Sequence, residues 1–238
     1  MSLDIAALAA SVQEELAALG TPERREFLAR SAPSALTTVG VKSPDIRKIT
    51  ADLSRRVRGS SNDEIKALAG ALVQGGTFEG RQVGYQLLDK HRKALATLDL
   101  DEILSLGAGI DNWASVDTFA ALIAGAAWKR GQIGDDVVHG WLSSPDRWWR
   151  RAGVVCTIAL NQKARGGDGD PDRTLAVCEE VVDDHDDMVV KALSWALREL
   201  AKREPDRVVA FMRLHDAALA ARVKREVRNK LETGLKNR

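Results

Sequence analysis

Four segments of this chain begin alike and end alike. "FEGRQVGYQLLDKHRK" starts at residue 78, "NWASVDTFAALIAGAAWKRG" at 112, "RWWRRAGVVCTIALNQKARG" at 147 and "MVVKALSWALRELAKREP" at 188, so the starts lie 34, 35 and 41 residues apart. Each opens on polar or aromatic residues, runs into small and aliphatic ones, and closes on Lys and Arg. "SPDIRKITADLSRRV" (43–57) reads as an earlier copy and "AALAARVKREVRNKL" (217–231) as the last. A period of about 35–40 residues with two helices per copy predicts a HEAT-like α-solenoid, because one helix pair cannot bury its apolar stripe alone and neighbours must stack. The expected fold is all-α: stacked antiparallel helix pairs in a single repeat domain over residues 1–238. The second helices of successive copies are expected to line a concave basic groove.

Local signals agree. Leu3, Ala6, Ala7, Ala10 and Val12 recur at helical spacing, as do Val189, Val190, Leu193, Ala196, Leu197 and Leu200. "TPERREFL" (21–28) carries a Thr N-cap, a Pro at the first helical position and an acid in the first turn. The longer third gap contains "GGDGDP" (166–171), which reads as a loop. Hydrophobic residues at 45% and charged residues at 29% suit a water-exposed globular chain. No stretch of 18 apolar residues and no basic-then-apolar leader occurs, so a cytoplasmic protein without a membrane span is expected. Cys156 and Cys178 sit among aliphatics without metal or redox spacing and read as buried free thiols.

The net charge of +1 is unevenly spread: residues 166–190 carry a net −8 and residues 191–238 a net +7. That separation predicts either a basic face suited to a polyanion or two solvated surfaces of opposite sign. Motifs for other chemistries are missing: no HExxH, Walker loop or GxSxG appears. His91, His139, His185 and His215 lack metal-ligand spacing, so neither a metal nor a cofactor is expected. "DDHDD" (183–187) lacks a calcium-loop pattern and reads as a solvated turn leading into a helix.

Five of the six tryptophans (Trp113, Trp128, Trp141, Trp148 and Trp149) fall within 37 residues, and the sixth is Trp195. Trp113 and Asp117 stand four apart, which puts both on one helix face. Trp113 and Trp148 lie one repeat apart, Asp117 and Arg151 nearly so. Trp195 lies in the next copy, with Lys191 one turn before it and Arg198 one turn after. Asp117 is followed by a strongly apolar run, and a buried carboxylate needs a partner. It is therefore either an internal strut between repeats or the working edge of a groove. Trp128, Trp141 and Trp149 read as core or boundary residues.

Across most of its length the sequence resembles the AlkD-like DNA glycosylases of the DNA alkylation repair superfamily. The likeness runs through "GVKSPDIRKI" (40–49), "NWASVD" (112–117), "WLSSPDRWWRRAGVV" (141–155) and "VVKALSWALRELAKREPDRV" (189–208). The resemblance implies that Asp117 is the catalytic carboxylate and that Trp113 and Trp195 flank the sugar of the damaged nucleotide. It assigns Arg151 to the DNA backbone, with Trp148, Lys191 and Arg198 as further DNA-binding residues. The implied reaction is hydrolysis of the N-glycosidic bond of a cationic alkylated purine in double-stranded DNA, without a base-flipping pocket, by a monomer. Two positions depart from the pattern: Ser31 stands where an aromatic is expected, and Ala114 where an Asp is common. The competing expectations are a non-catalytic HEAT-repeat protein that binds distorted or branched DNA and, last, a protein-binding scaffold.

Overall fold

A computed structural model describes residues 3–237. Among them the fold is all-α, with one isolated bridge between Thr37 and Thr77 and no strand. The chain divides into two compact units, Met1–Ile123 and Ala124–Arg238.

The first unit holds α1 (Ile5–Leu19), α2 (Pro22–Ser31), α3 (Ser43–Arg56), α4 (Asn62–Gln74), α5 (Phe78–Lys90), α6 (Arg92–Leu95), α7 (Leu100–Gly107) and α8 (Trp113–Phe119). The unit boundary falls in a π-helical turn, Ala120–Ala124. The second unit holds α9 (Gly125–Lys129), α10 (Asp135–Leu142), α11 (Arg147–Asn161), α12 (Pro171–Glu180), α13 (Asp187–Leu200), α14 (Pro205–Leu214) and α15 (Ala221–Thr233). The repeated segments are thus the helices α3, α5, α8, α11, α13 and α15. Within the first unit α3 packs on α5 and α5 on α8; within the second α9 packs on α11, α11 on α13 and α13 on α15. The apolar stripes quoted above form these contacts: Ile46, Ile49 and Leu53 of α3 are buried, as are Val189, Leu193, Ala196, Leu197 and Leu200 of α13.

Caps follow the chemistry of the sequence. The Thr21 hydroxyl accepts the Arg24 N–H, with Pro22 at the first helical position. "GGDGDP" is a loop in which Gly166 and Gly169 take positive φ and Asp170 caps α12. The Arg203 guanidinium holds that loop by donating to the carbonyls of Asn161, Gly167 and Asp168. In "DDHDD", Asp186 is the N-cap of α13 and Asp187 lies in its first turn. Cys156 and Cys178 are free and buried, and burial pushes both thiols up. Trp128 is buried with its N–H on Asp135 at 2.7 Å, and Trp141 packs against Trp149 in a tilted pair with ring centres 5.0 Å apart.

Several side chains of the acidic stretch pair with arginines and lysines of the same unit. Asp172 meets Arg207 at 2.7 Å, Asp184 meets Arg150 at 2.8 Å, and Asp187 meets both Lys191 at 2.6 Å and Arg222 at 3.4 Å. Much of the −8 segment is therefore neutralised inside its own unit.

The connection between α2 and α3 (residues 32–42) is held at three points. Asp111 accepts from the Ser34 hydroxyl and the Ala35 N–H. Thr37 exchanges backbone bonds with Gly76 and Phe78. Buried Glu79, in the first turn of α5, accepts the N–H groups of Val39, Gly40 and Val41 at 2.9, 2.7 and 3.1 Å. Gly40 has φ 92, and a Cβ there would lie 2.4 Å from the Thr21 carbonyl oxygen. That close approach, also marked by the Thr21 N–H bond to the Gly40 carbonyl, seats the start of α2. These latches fix where α2 lies relative to α8.

Candidate functional site

Four helices of the first unit surround a cleft of about 290 Å³. Phe27, Arg24 and Ser31 of α2 line one side. Trp113, Asp117 and Thr118 of α8 line another, and Gln82 and Gln86 of α5 lie between them. Asp117 is half-buried and one turn beyond Trp113. The four-residue spacing puts both on the cleft, as helix geometry requires.

Trp113 is 40% exposed, and its indole N–H donates to the Ser31 carbonyl at 2.6 Å. Its ring is therefore anchored at one edge and open on a face. Asn112, the N-cap of α8, accepts the Ala114 and Ser115 N–H groups at 3.1 and 3.0 Å. Thr118 donates to Gln82 at 2.8 Å, tying α8 to α5 beside Asp117. Phe27 is 49% exposed, with the Arg24 guanidinium 4.6 Å from its ring centre. Ser31, where an aromatic was expected, contributes its backbone carbonyl; Phe27, one turn earlier on α2, supplies the aromatic ring.

The other candidates lie in the second unit. Arg151 is 5% exposed and donates to the Met188 carbonyl at the start of α13. Trp148 is half-buried beside Arg147, whose guanidinium stands 5.8 Å from its ring centre. Lys191 pairs with Asp187. Trp195 is half-buried on α13. Arg198 donates to the Ser194 hydroxyl at 3.2 Å and stands 3.7 Å from buried Glu226, to which Ser194 donates at 2.7 Å. Burial pulls the Arg198 guanidinium below its usual range, against the pull of Glu226 and Glu199.

Three carboxyls, Glu64, Asp111 and Asp187, titrate low. Burial pushes Asp111 up, but the Ala35 N–H, the Ser34 hydroxyl, the Asn112 amide and the Arg81 guanidinium outweigh it. Asp187 is held down first by its hydrogen bond from Lys191. A carboxyl whose folded value is depressed contributes stability above its unfolded value, usually about 3.8. That contribution disappears as pH falls through the folded value. Stability is therefore expected to be level above about pH 5 and to fall steeply below about pH 4. Denaturant melts across this range check it, and a shallower acid limb in Asp111→Ala identifies that residue's share.

Among the described residues, no three His, Cys, Asp or Glu side chains converge as a metal site would require. No helix there is long and apolar enough to cross a membrane.

A helical-repeat protein with an aromatic-and-carboxylate cleft is the class that fold and site define. The sequence model of the family described as "DNA alkylation repair enzyme" matches residues 12–231, and the chain belongs to that family. Two solved structures share the fold. One, described as a predicted DNA alkylation repair enzyme from Enterococcus faecalis, has a TM-score of 0.69 at 16% identity, covering 90% of this chain and 97% of that one. AlkD2 from Streptococcus mutans has a TM-score of 0.60 at 14% identity, covering 98% of this chain and 99% of its own. The search of curated proteins found no match. Family membership supports a role in DNA repair, with DNA as the partner.

Proposed function

We propose that this protein is a DNA glycosylase that hydrolyses the N-glycosidic bond of cationic alkylated purines, of the 3-methyladenine and 7-methylguanine type, in duplex DNA. The observation that carries this reading is the shared cleft. In a chain of the DNA alkylation repair family, an open-faced Trp113 and the Asp117 carboxylate line one concavity.

The chemistry suits a single carboxylate. An alkylated base already carries a positive charge, so it leaves with the bonding electron pair without a proton donor. Sugar glycosidases face a poorer leaving group and employ two carboxyls. What remains is to stabilise the positive charge that develops on the deoxyribose and to hold the water that adds to it. A carboxylate at ~4 Å in an effective dielectric of ~20 contributes roughly 4 kcal/mol. Expressed only in the transition state, that is on the order of a thousandfold in rate. The electron-rich face of Trp113 adds a related attraction for the cation. No base-flipping pocket is needed, because the lesion is distinguished by its charge and its weakened bond.

The residues of the second unit enter this reading through the resemblance. Trp195 is assigned to the sugar, and Trp148 and Lys191 to the DNA strand. Arg151 is assigned to the DNA backbone with Arg198 beside it, each also held within the unit, by the Met188 carbonyl and by Ser194 and Glu226. Phosphate contacts of this kind give salt-dependent affinity with little sequence preference.

The test is base release. Duplex DNA treated with a methylating agent is incubated with the protein, and freed 3-methyladenine and 7-methylguanine are quantified. Release above the spontaneous rate is expected. No release with duplex binding intact overturns the glycosylase and leaves a DNA-binding repeat protein.

A further inference from the structure

The residues just before Trp113 form a connected set that the proposed chemistry does not use. Asp111 Oδ1 accepts the Ser34 hydroxyl at 2.7 Å and the Asn112 side-chain amide at 2.9 Å, and its Oδ2 accepts the Ala35 N–H. Asn112 is fully buried and caps α8. Trp113 reaches back to the carbonyl of Ser31, the last residue of α2. Asp111 and Trp113 thus tie the start of α8 to the turn that leaves α2 through three bonds, with the Asn112 amide bracing Asp111. All three ties converge on residues 31–35.

Behind this latch lies a buried cation. Arg81 of α5 is 5% exposed, and its Nε and Nη1 have no hydrogen-bond partner. A Cβ built on Gly109 would stand 3.7 Å from its Nη2, which places the guanidinium beside the segment that carries Asp111. A buried guanidinium needs a nearby negative charge, and Asp111 supplies one while accepting three hydrogen bonds.

We propose that Asp111 is a positioning residue: by locking the Ser31–Ala35 turn to the start of α8, it fixes the ring of Trp113 in the cleft. The hydrogen bond to the Ser31 carbonyl holds the exposed indole by its N–H edge and sets its angle about χ1 and χ2. That carbonyl is stationary only while the turn is held. Its effect on rate rests on the glycosylase reading; its effect on the ring does not.

The experiment has two arms. In the first, indole N–H resonances of ¹⁵N-labelled protein are recorded for wild type, Asp111→Ala and Ser34→Ala, with Trp113→Phe identifying the Trp113 signal. Loss of the latch is expected to move that signal upfield and speed its exchange with water in Asp111→Ala, and less so in Ser34→Ala. The Asp111→Ala/Ser34→Ala double variant should match Asp111→Ala alone, since both remove one contact. In the second, base release should fall on the order of tenfold in Asp111→Ala, through kcat more than KM, as a misplaced reacting group requires. An unmoved Trp113 signal in folded Asp111→Ala overturns the proposal. Should that variant fail to fold, an unmoved signal in Ser34→Ala overturns it equally. A wild type that releases no base overturns the glycosylase reading alone, and the indole signal still decides the latch.

Discussion

Asp117→Asn is expected to lose base release by about a thousandfold while keeping its fold and its affinity for duplex DNA. The substitution is nearly isosteric, so the half-buried position on α8 keeps its packing, and only the charge disappears. Uniform binding does not change, because the carboxylate acts on charge that exists only in the transition state. Affinity should be equal or slightly tighter, since one negative charge is removed from a surface that meets phosphates. Single-turnover release at saturating enzyme, with anisotropy at one fixed salt concentration, separates the two quantities. Release within a few-fold of wild type would sink the assignment of Asp117. A loss of binding in step with rate would instead make Asp117 part of the scaffold.

That pair was legible in the sequence because the helix alone determines it. Four residues on one strongly apolar helix put Trp113 and Asp117 together whatever the rest of the chain does. The period of the repeat was legible for the same reason, and its copies fall on α3, α5, α8, α11, α13 and α15. Phe27 was hidden. In "PERREFLARS" only Leu28 is buried, and Phe27 points off the core face of a mostly charged helix. The signal was present as a lone aromatic with no place in the apolar stripe. Its destination depends on residues 32–42, whose bonds reach 38–40 and 76–77 positions along the chain. Such bonds leave no periodic trace.

Arg151 shows a reading that the periodicity could have carried further. Arg147, Arg150 and Arg151 crowd the first turns of α11, and motif spacing alone does not say which one faces inward. Val154, Val155 and Ile158 are fully buried and share a face with residue 151. Arg151 is therefore the arginine on the apolar stripe, and a buried guanidinium must find an acceptor, here the Met188 carbonyl. Arg150, one position round the helix, takes the half-buried acid Asp184 instead. The charge separation between residues 166–190 and 191–238 is explained in the same way. A −8 segment beside a +7 segment describes strands of charge, and stacking brings Asp172 to Arg207 and Asp187 to Arg222. Linear sequence shows the signs but not which side chains meet.

Glu79→Ala is expected to be the most destabilising single change in the first unit, by about 3–5 kcal/mol. The carboxylate is fully buried and accepts three consecutive N–H groups of the α2–α3 connection. Each is a charge-assisted bond, and each donor would be left buried or forced to find water. A loss of this size is a large part of the ~5–15 kcal/mol that holds a typical domain. Urea melts followed by circular dichroism measure it, and a midpoint within about 0.5 kcal/mol of wild type would contradict it. Glu79→Gln keeps one acceptor oxygen but turns an amide NH₂ toward the donors, so it should recover only a minor part. The same change reaches the cleft. With residues 39–41 released, the Gly40 carbonyl no longer seats Thr21, and α2 loses the anchor that presents Phe27 and the Ser31 carbonyl to Trp113. Base release in folded Glu79→Gln should therefore fall below wild type, even though Glu79 does not line the cleft.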